Sequence, residues 1–192
     1  MRTRITVALT AGLLLSLTAC SNQTDHKPPA PTPTAAAPTP SETPNSEPAP
    51  EPPRSLGSAY EWEATDGSVS GTSAVLGYSQ GFKSAGSAAE ETGTSAYVWA
   101  AVELKVCSIK GTFLSTTTPW TLSYDDGARI EPSSSTWDDF PKPEFPFETR
   151  LTSGKCVRGK LVYPVPGNSR PATVVYAPEG LDTPVEWMVP AK

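Results

Sequence analysis

Histidine is almost missing from this sequence, which contains a single one, His26. That residue lies in a proline-rich stretch, ahead of the first predicted strand. Serine or cysteine nucleophiles activated by histidine, and zinc sites built from histidine, need an imidazole in the folded part of the chain. We therefore predict no catalytic residue, no metal site and no cofactor, and we expect a protein that is not an enzyme.

Basic residues are outnumbered, with 15 lysines and arginines against 20 aspartates and glutamates and a formal charge of −5. Nucleic acids and anionic lipid surfaces are bound through clusters of positive charge. The sequence therefore predicts no nucleic-acid partner.

Long apolar runs are confined to the N-terminus. Arg2 and Arg4 precede a run from Ile5 to Leu17, which is the layout of a secretory signal peptide. The run has about thirteen residues, whereas a helix needs about 20 to span a bilayer, so a permanent transmembrane helix is disfavoured.

The residues that end this run, Leu17-Thr18-Ala19-Cys20, resemble the lipobox of bacterial lipoproteins, in which the cysteine is acylated and the chain is cut just before it. The resemblance implies removal of residues 1–19, lipidation of Cys20 and anchoring at the extracellular face of the cytoplasmic membrane. Each buried methylene of an acyl chain contributes about 0.8 kcal/mol, so two or three chains hold a domain at a membrane. An ordinary signal peptide cut near a cysteine by chance is the alternative.

Cysteine is scarce, with three in the chain. If Cys20 carries lipid, Cys107 and Cys156 remain as an even pair in an oxidising compartment, which is most simply a disulfide. Each lies at the end of a predicted strand, beside Lys105 and Arg158 respectively. If these strands are antiparallel neighbours, the bridge joins them within one sheet near its outer surface. Free thiols or a redox role for the pair are the alternatives.

The segment from Ser21 to Pro53 has essentially no large apolar side chain and holds eleven of the chain's 22 prolines. Such a composition buries too little surface to offset the entropy of folding. We predict a disordered tether over residues 20–56, which at about 3.1 Å per residue would reach on the order of 100 Å. A proline-rich ligand for a recognition domain is the alternative.

Residues 57–192 contain short alternating runs separated by Gly, Pro, Ser and Asp, which indicates an all-β domain. Within it, residues 80–94 are expected to form a mobile loop with at most one helical turn. The Asp-Asp-Gly sequence at 125–127 predicts a hairpin turn, because glycine accepts the positive φ of a tight turn. Together the runs favour an antiparallel β-sandwich, with strands at 60–62, 74–78, 96–109, 119–124, 128–130, 155–164, 173–176 and 185–189.

Aromatic residues gather in a passage at 137–147, in which three prolines exclude a central strand. Rigid aromatic side chains lose little entropy on binding and are favoured at the centres of contacts. We predict a candidate binding surface here, with Trp99 as a neighbour on the more solvent-exposed face of the longest predicted strand. The residues of this surface are Trp137, Asp138, Asp139, Phe140, Phe145, Phe147 and Trp99. In the alternative, the aromatic residues of the passage turn inward and cap one end of the sandwich.

Carboxylates occur in pairs at Asp125-Asp126 and Asp138-Asp139, and Glu144 follows. Two carboxylates at a suitable separation could support glycoside hydrolysis, and oxygen-rich loops could hold calcium. Acidic pairs in turns are far more often solvated turn formers, and no segment has the ligand spacing of an EF-hand loop. Hydrolysis and calcium binding are therefore kept only as alternatives.

Five stretches in a fixed order resemble a known bacterial pattern: 98–106, Trp120-Thr121-Leu122, Asp126-Gly127, Ser153-Gly154-Lys155 and 159–166. They are similar to an immunoglobulin-like domain of unknown function, found in lipoproteins and secreted proteins of Gram-positive bacteria and related in fold to a mycobacterial immunoprotective extracellular antigen. The resemblance covers roughly residues 70–190 and implies an immunoglobulin-like β-sandwich in a cell-surface setting. It brings no catalytic residues.

These patterns predict a lipid-anchored extracellular immunoglobulin-like domain that acts as a non-enzymatic interaction or structural module at the cell envelope. Its expected partners are the membrane, through the lipidated N-terminus, and an envelope protein. A ligand-binding or ion-binding sensor or accessory lipoprotein is the first alternative. A carboxylate-dependent hydrolase is a remote one.

Overall fold

Ten strands and one short helix make up the residues that the computed structural model describes, which are 51–181 and 183–191. They belong to the unit Pro48–Lys192. The predicted signal peptide, Cys20 and nearly all of the predicted tether lie outside the described residues. In the described part, no helix is long and apolar enough to cross a membrane. The elements are β1 (Ala59–Glu63), β2 (Ser70–Phe82), α1 (Ala88–Thr92), β3 (Tyr97–Lys110), β4 (Thr112–Thr116), β5 (Trp120–Ser123), β6 (Arg129–Ile130), β7 (Glu148–Thr152), β8 (Cys156–Pro166), β9 (Thr173–Tyr176) and β10 (Val185–Met188).

Two antiparallel four-stranded sheets enclose the main core, one in the order β1-β2-β3-β8 and the other in the order β10-β9-β5-β6. Strand β3 shows why the sequence folds this way, because successive side chains of a strand point to opposite faces. Alternate residues Ala100, Val102, Leu104 and Val106 are fully buried against the second sheet. The predicted antiparallel β-sandwich is confirmed.

Large aromatic side chains fill the centre between the sheets, and most of their polar atoms have partners. The Trp120 ring lies 4.4 Å from that of Tyr176 and 5.9 Å from that of Trp187, centroid to centroid. The Trp187 indole N–H donates to the Ser58 carbonyl at 2.9 Å. Each such bond offsets the cost of burying a polar group and fixes the orientation of its ring.

The ladder between β3 and β8 continues, after a bend, into a second ladder between β4 and β7, which we call the β4–β7 arm. The bend lies at Gly111 and Gly154, whose φ angles are +73° and +79°. Glycine adopts such angles without steric cost, and a Cβ on Gly111 would lie 2.6 Å from the Ser68 carbonyl oxygen. Neither strand of the arm was predicted from the sequence.

The disulfide Cys107–Cys156 forms as predicted and joins directly opposed residues of β3 and β8. The two Cα atoms are 4.0 Å apart. Cys156 is exposed and Cys107 is half-buried, so the bridge lies on the outer surface of its sheet.

Residues 80–94 are not the loop that was expected. Strand β2 runs on to Phe82, and α1 follows after a short connection. A capping box begins the helix, because the Glu90 N–H donates to the Ser87 hydroxyl at 3.1 Å while the Ser87 N–H donates to the Glu90 carboxylate at 3.1 Å. The single helical turn in this stretch is confirmed.

The domain begins earlier than the predicted boundary at residue 57, because Arg54 already pairs with β10. Its N–H donates to the Glu186 carbonyl and its carbonyl accepts from the Met188 N–H, each at 2.8 Å. Strand β10 lies at the edge of its sheet, and an edge strand has unpaired backbone groups that recruit further chain. Residues 54–56, which were predicted to belong to the tether, are therefore part of the folded unit.

Candidate functional site

Asp139 clamps the 137–147 loop to the chain that precedes α1. Its Oδ1 accepts from the Ser84 hydroxyl at 2.7 Å, and its Oδ2 accepts from the Ala85 N–H at 2.8 Å. The hydrogen bond from Ser84, with a smaller contribution from Ala85, lowers the pKa of Asp139 below its ordinary value. This carboxylate therefore has a structural partner on each oxygen.

Phe140 covers Trp99 on the outer face of the β1-β2-β3-β8 sheet. The Phe140 ring meets the rings of Trp99 and Phe82 edge to face, with centroids 5.1 and 6.1 Å away. Trp99 is only 2% exposed, and its indole N–H donates to the Gly86 carbonyl at 2.7 Å. The prediction that Trp99 lies on an exposed face is therefore wrong, because α1 and the loop bury it in a second, smaller core.

Phe145 turns inward as well and joins the main core. Its N–H donates to the Lys160 carbonyl at 3.0 Å, while the Lys160 N–H donates to the Pro143 carbonyl at 2.9 Å. This close approach requires Gly159, since a Cβ there would lie 2.5 Å from the Phe145 nitrogen. The loop thus pairs with β8, which is the edge strand of its sheet, and covers backbone groups that would otherwise be open.

The remaining residues of the predicted surface stay in contact with solvent. Trp137 is 41% exposed and Phe147 is 55% exposed, and Asp138 is exposed too. The Trp137 ring lies over Gly86, where a Cβ would come within 2.1 Å of it. Phe147 lines a small cavity of about 120 Å³ that Trp137 does not reach. The inward-capping alternative is therefore right for Phe145 and wrong for Trp137 and Phe147, while Phe140 is buried against the outer face of the sheet and not at an end of the sandwich.

The acidic residues of the turns act on their own backbone or on neighbours. Asp126 accepts from the Ala128 N–H at 2.9 Å within the predicted hairpin turn. Glu144 pairs with Lys142 and accepts from the Thr136 hydroxyl at 2.5 Å, and these contacts lower the pKa of Glu144. Across residues 51–181 and 183–191, no three His, Cys, Asp or Glu side chains are grouped so that they could hold a metal ion.

A groove that the sequence analysis did not identify runs beside Leu114, a residue of β4 that is 48% exposed. Two cavities of about 430 and 310 Å³ adjoin there and share Leu114, Tyr176, Pro178 and Glu179 as lining. We call this pair of cavities the Leu114 groove. Its other principal lining residues are Trp62, Glu63, Phe113 and Leu181 on one side and Pro119, Trp120 and Ala177 on the other.

Aromatic side chains line part of the groove, and its charged lining residues are acidic. The Phe113 ring meets the Trp62 ring edge to face at 4.9 Å, and the Trp62 indole N–H donates to the buried Ser73 hydroxyl at 3.1 Å. Glu63 and Glu179 line the groove, and no basic residue in the described part does. The arrangement suits an apolar group that carries positive charge beside it.

Comparison with known proteins adds to this description only in fold. No family model matches the chain, and no curated protein matches its sequence. The secreted protein MPT63 of Mycobacterium tuberculosis has a similar structure, with a TM-score of 0.54 and 18% sequence identity over 73% of this chain and 98% of that one. The YjhA protein of Bacillus subtilis is more distant, with a TM-score of 0.42 and 17% identity over 70% of this chain and 98% of that one. The chain thus has the immunoglobulin-like β-sandwich fold that it shares with MPT63.

Proposed function

We propose that this protein is a lipid-anchored, non-enzymatic interaction module on the extracellular face of the cytoplasmic membrane. The sequence Leu17-Thr18-Ala19-Cys20 supports the anchor, and the proline-rich composition of residues 21–53 supports a tether between the membrane and the domain. Its structural likeness to a secreted protein supports the extracellular setting. The observation that carries the interaction role is the Leu114 groove.

The occupant of the groove is an extended segment of an envelope protein that carries apolar side chains next to lysine or arginine. Leu114 lines both cavities and is 48% exposed. A bound segment that covers Leu114 removes this apolar surface from water, which is favourable. Glu63 and Glu179 place two carboxylates at the groove, and the chain as a whole carries a formal charge of −5. A basic segment matches that charge, and complementary charge sets the orientation and the rate of association.

A small apolar ligand is the second candidate, because cavities of about 310 and 430 Å³ have the volume of ordinary ligand sites. Such a ligand would cover Glu63 and Glu179 without pairing them, and burying an unpaired carboxylate is costly. The acidic lining therefore favours the basic peptide segment.

The anchor is tested by replacing Cys20 with alanine and separating membranes from culture medium. We expect the variant to appear in the medium, because it has no thiol to acylate. A Cys107→Ser/Cys156→Ser variant is the control, and it should stay with the membrane fraction. Membrane retention of the Cys20→Ala protein would contradict the anchor.

The groove is tested by titrating the protein with synthetic peptides that alternate valine or leucine with lysine, while the indole N–H of Trp62 is followed by NMR. Saturable shifts of this signal are expected. Leu114→Glu should abolish them, whereas Ile109→Glu, which changes another exposed apolar residue outside the groove, should leave them intact. Glu63→Gln/Glu179→Gln should weaken binding and reduce its dependence on salt.

Equal binding by the Leu114→Glu and Ile109→Glu proteins would show that the peptides do not use the groove. Tight binding of an uncharged apolar compound at Leu114, with no binding of the peptides, would support the small-ligand candidate instead.

A further inference from the structure

The disulfide Cys107–Cys156 stands at the junction between two parts of one bent ribbon. On one side of it, β3 and β8 are paired over ten further residue pairs, as far as Tyr97 and Pro166. On the other side, after the bend at Gly111 and Gly154, the β4–β7 arm has five residue pairs. The bridge is therefore the last covalent tie between the strands before the arm begins.

The surroundings of the disulfide are open and positively charged. Cys156 is exposed, and the next directly opposed pair with side chains on the same face is Lys105 and Arg158. Arg158 is engaged by Glu103, with guanidinium-to-carboxylate distances of 2.7 and 2.8 Å. Lys105 is exposed and forms no ion pair within the described residues.

Acidic side chains on this face stand further from the sulfurs. Glu61 of β1 is aligned with Cys107 across the sheet, but Thr72 of β2 lies between them, since it pairs with both residues. A thiolate that attacks a disulfide is negative, and so is the sulfur that leaves. Nearby cations favour both, as they do at reactive cysteines.

We propose that Cys107–Cys156 is a site of thiol–disulfide exchange with an extracytoplasmic dithiol, and that its reduction loosens the β4–β7 arm. A thiolate of the dithiol attacks Sγ of Cys156, the exposed sulfur, and forms a mixed disulfide while Cys107 leaves as a thiolate. The second thiolate of the dithiol then attacks the first dithiol sulfur, which is bonded to Cys156, and Cys156 leaves as a thiolate. Two electrons pass to the cysteine pair, each cysteine thiolate takes a proton from water, and the dithiol ends as a disulfide.

The loosening is expected at the bend and in the arm, because at the bend three hydrogen bonds join residues 108–109 to residues 153–155 besides the disulfide. The Ser108 N–H donates to the Lys155 carbonyl at 2.9 Å, the Gly154 N–H donates to the Ser108 carbonyl at 2.8 Å, and the Ser153 hydroxyl donates to the Ile109 carbonyl at 2.7 Å. The β3–β8 ladder is anchored by seven buried residues of the main core, whereas the arm contributes Leu151 alone, with Phe113 packed against the core. This inference does not depend on any partner of the Leu114 groove.

Exchange is tested on the folded protein by measuring its reduction by dithiothreitol, which has no charge besides its reacting thiolate, and by glutathione, which carries a further net negative charge. Released thiols are alkylated and counted by mass spectrometry. We expect reduction without unfolding. Lys105→Glu should slow the reaction with glutathione several-fold and that with dithiothreitol less. Lys83→Glu changes an exposed lysine that follows the last residue of β2, and it should alter neither rate.

The effect on the arm is tested by hydrogen exchange. After reduction and alkylation, amides of residues 112–116 and 148–152 should exchange at least tenfold faster, with β3 and β8 amides between Val98 and Val106 unchanged. The Cys107→Ser/Cys156→Ser protein should behave in the same way, and the alkylated wild-type protein gives the answer if that variant does not fold. Reduction that occurs only at the rate of global unfolding would overturn the exchange site, and unchanged arm amides would overturn the loosening.

Discussion

Replacing Phe140 with alanine tests whether the 137–147 loop is a lid that buries Trp99. Phe140 is 3% exposed and lies against the rings of Trp99 and Phe82. A buried aromatic residue removes about 150–250 Å² from water, or about 4–6 kcal/mol at 25 cal/mol per Å². Alanine retains part of that area, and buried Phe→Ala changes cost about 3–5 kcal/mol. We expect the lower end, about 3 kcal/mol, because a loop outside the sandwich can detach before the sheets unfold.

Two measurements check this expectation. Denaturant unfolding followed by circular dichroism gives the loss of stability, and NMR gives the exchange rate of the Trp99 indole proton that is bonded to Gly86. Both should change in Phe140→Ala. Phe147→Ala is the matched control, and since Phe147 is 55% exposed it should lie within about 0.5 kcal/mol of wild type. A Phe140→Ala protein as stable as that control, with a protected Trp99 proton, would refute the lid.

Three further predictions concern single features of the fold. Asp139→Asn should lower the melting temperature at pH 7. The pKa of Asp139 is lowered in the folded state, so its carboxylate stabilises the fold above the unfolded-state pKa near 4, and this stabilisation is lost as the pH falls through the folded-state pKa. The difference in melting temperature from wild type should therefore shrink below about pH 4. Gly159→Ala should lower the free energy of unfolding by more than about 1 kcal/mol in denaturant titration, since the added Cβ would lie 2.5 Å from the Phe145 nitrogen. Gly127→Ala is the comparison, because its Cβ would have no atom within 4 Å while its φ is +86°, so it measures the cost of backbone strain alone. Cys107→Ser/Cys156→Ser should lose up to about 4 kcal/mol, the chain-entropy estimate for a separation of 49 residues, and an unchanged unfolding midpoint would contradict it.

Most strands could be predicted from the sequence because alternation is a local property. The residues from Val98 to Val106 carry their inward and outward faces in their own order, and the pattern places the core face of β3 correctly. The hairpin at Asp126-Gly127 was equally local, since glycine there has a φ of +86°. The two strands of the β4–β7 arm were missed because each has only five residues and no long alternation. The run Thr112-Phe113-Leu114, rich in strand-forming residues after a glycine, was the available signal.

The candidate site could be predicted only in part, because exposure depends on what covers a residue. Trp99 has the position of an outward side chain on β3, and alternation assigns it to the wetter face. Phe140 covers it from another part of the chain, in a loop held by Asp139, whose carboxylate accepts from Ser84, a residue 55 positions earlier. No local pattern around Trp99 contains that contact.

The sequence by itself determined the β-sandwich class, the pairing of Cys107 with Cys156 and the lipobox-like address at Cys20, whose role stays a prediction. These follow from the period of a strand, from an even number of remaining cysteines and from a short motif, all of which are readable in the order of residues. Only the tertiary structure decided that Phe140 and Phe145 are buried while Leu114 is exposed in a groove. Burial is a property of surfaces brought together from distant segments, so it is settled when the loop, the arm and the sheets meet.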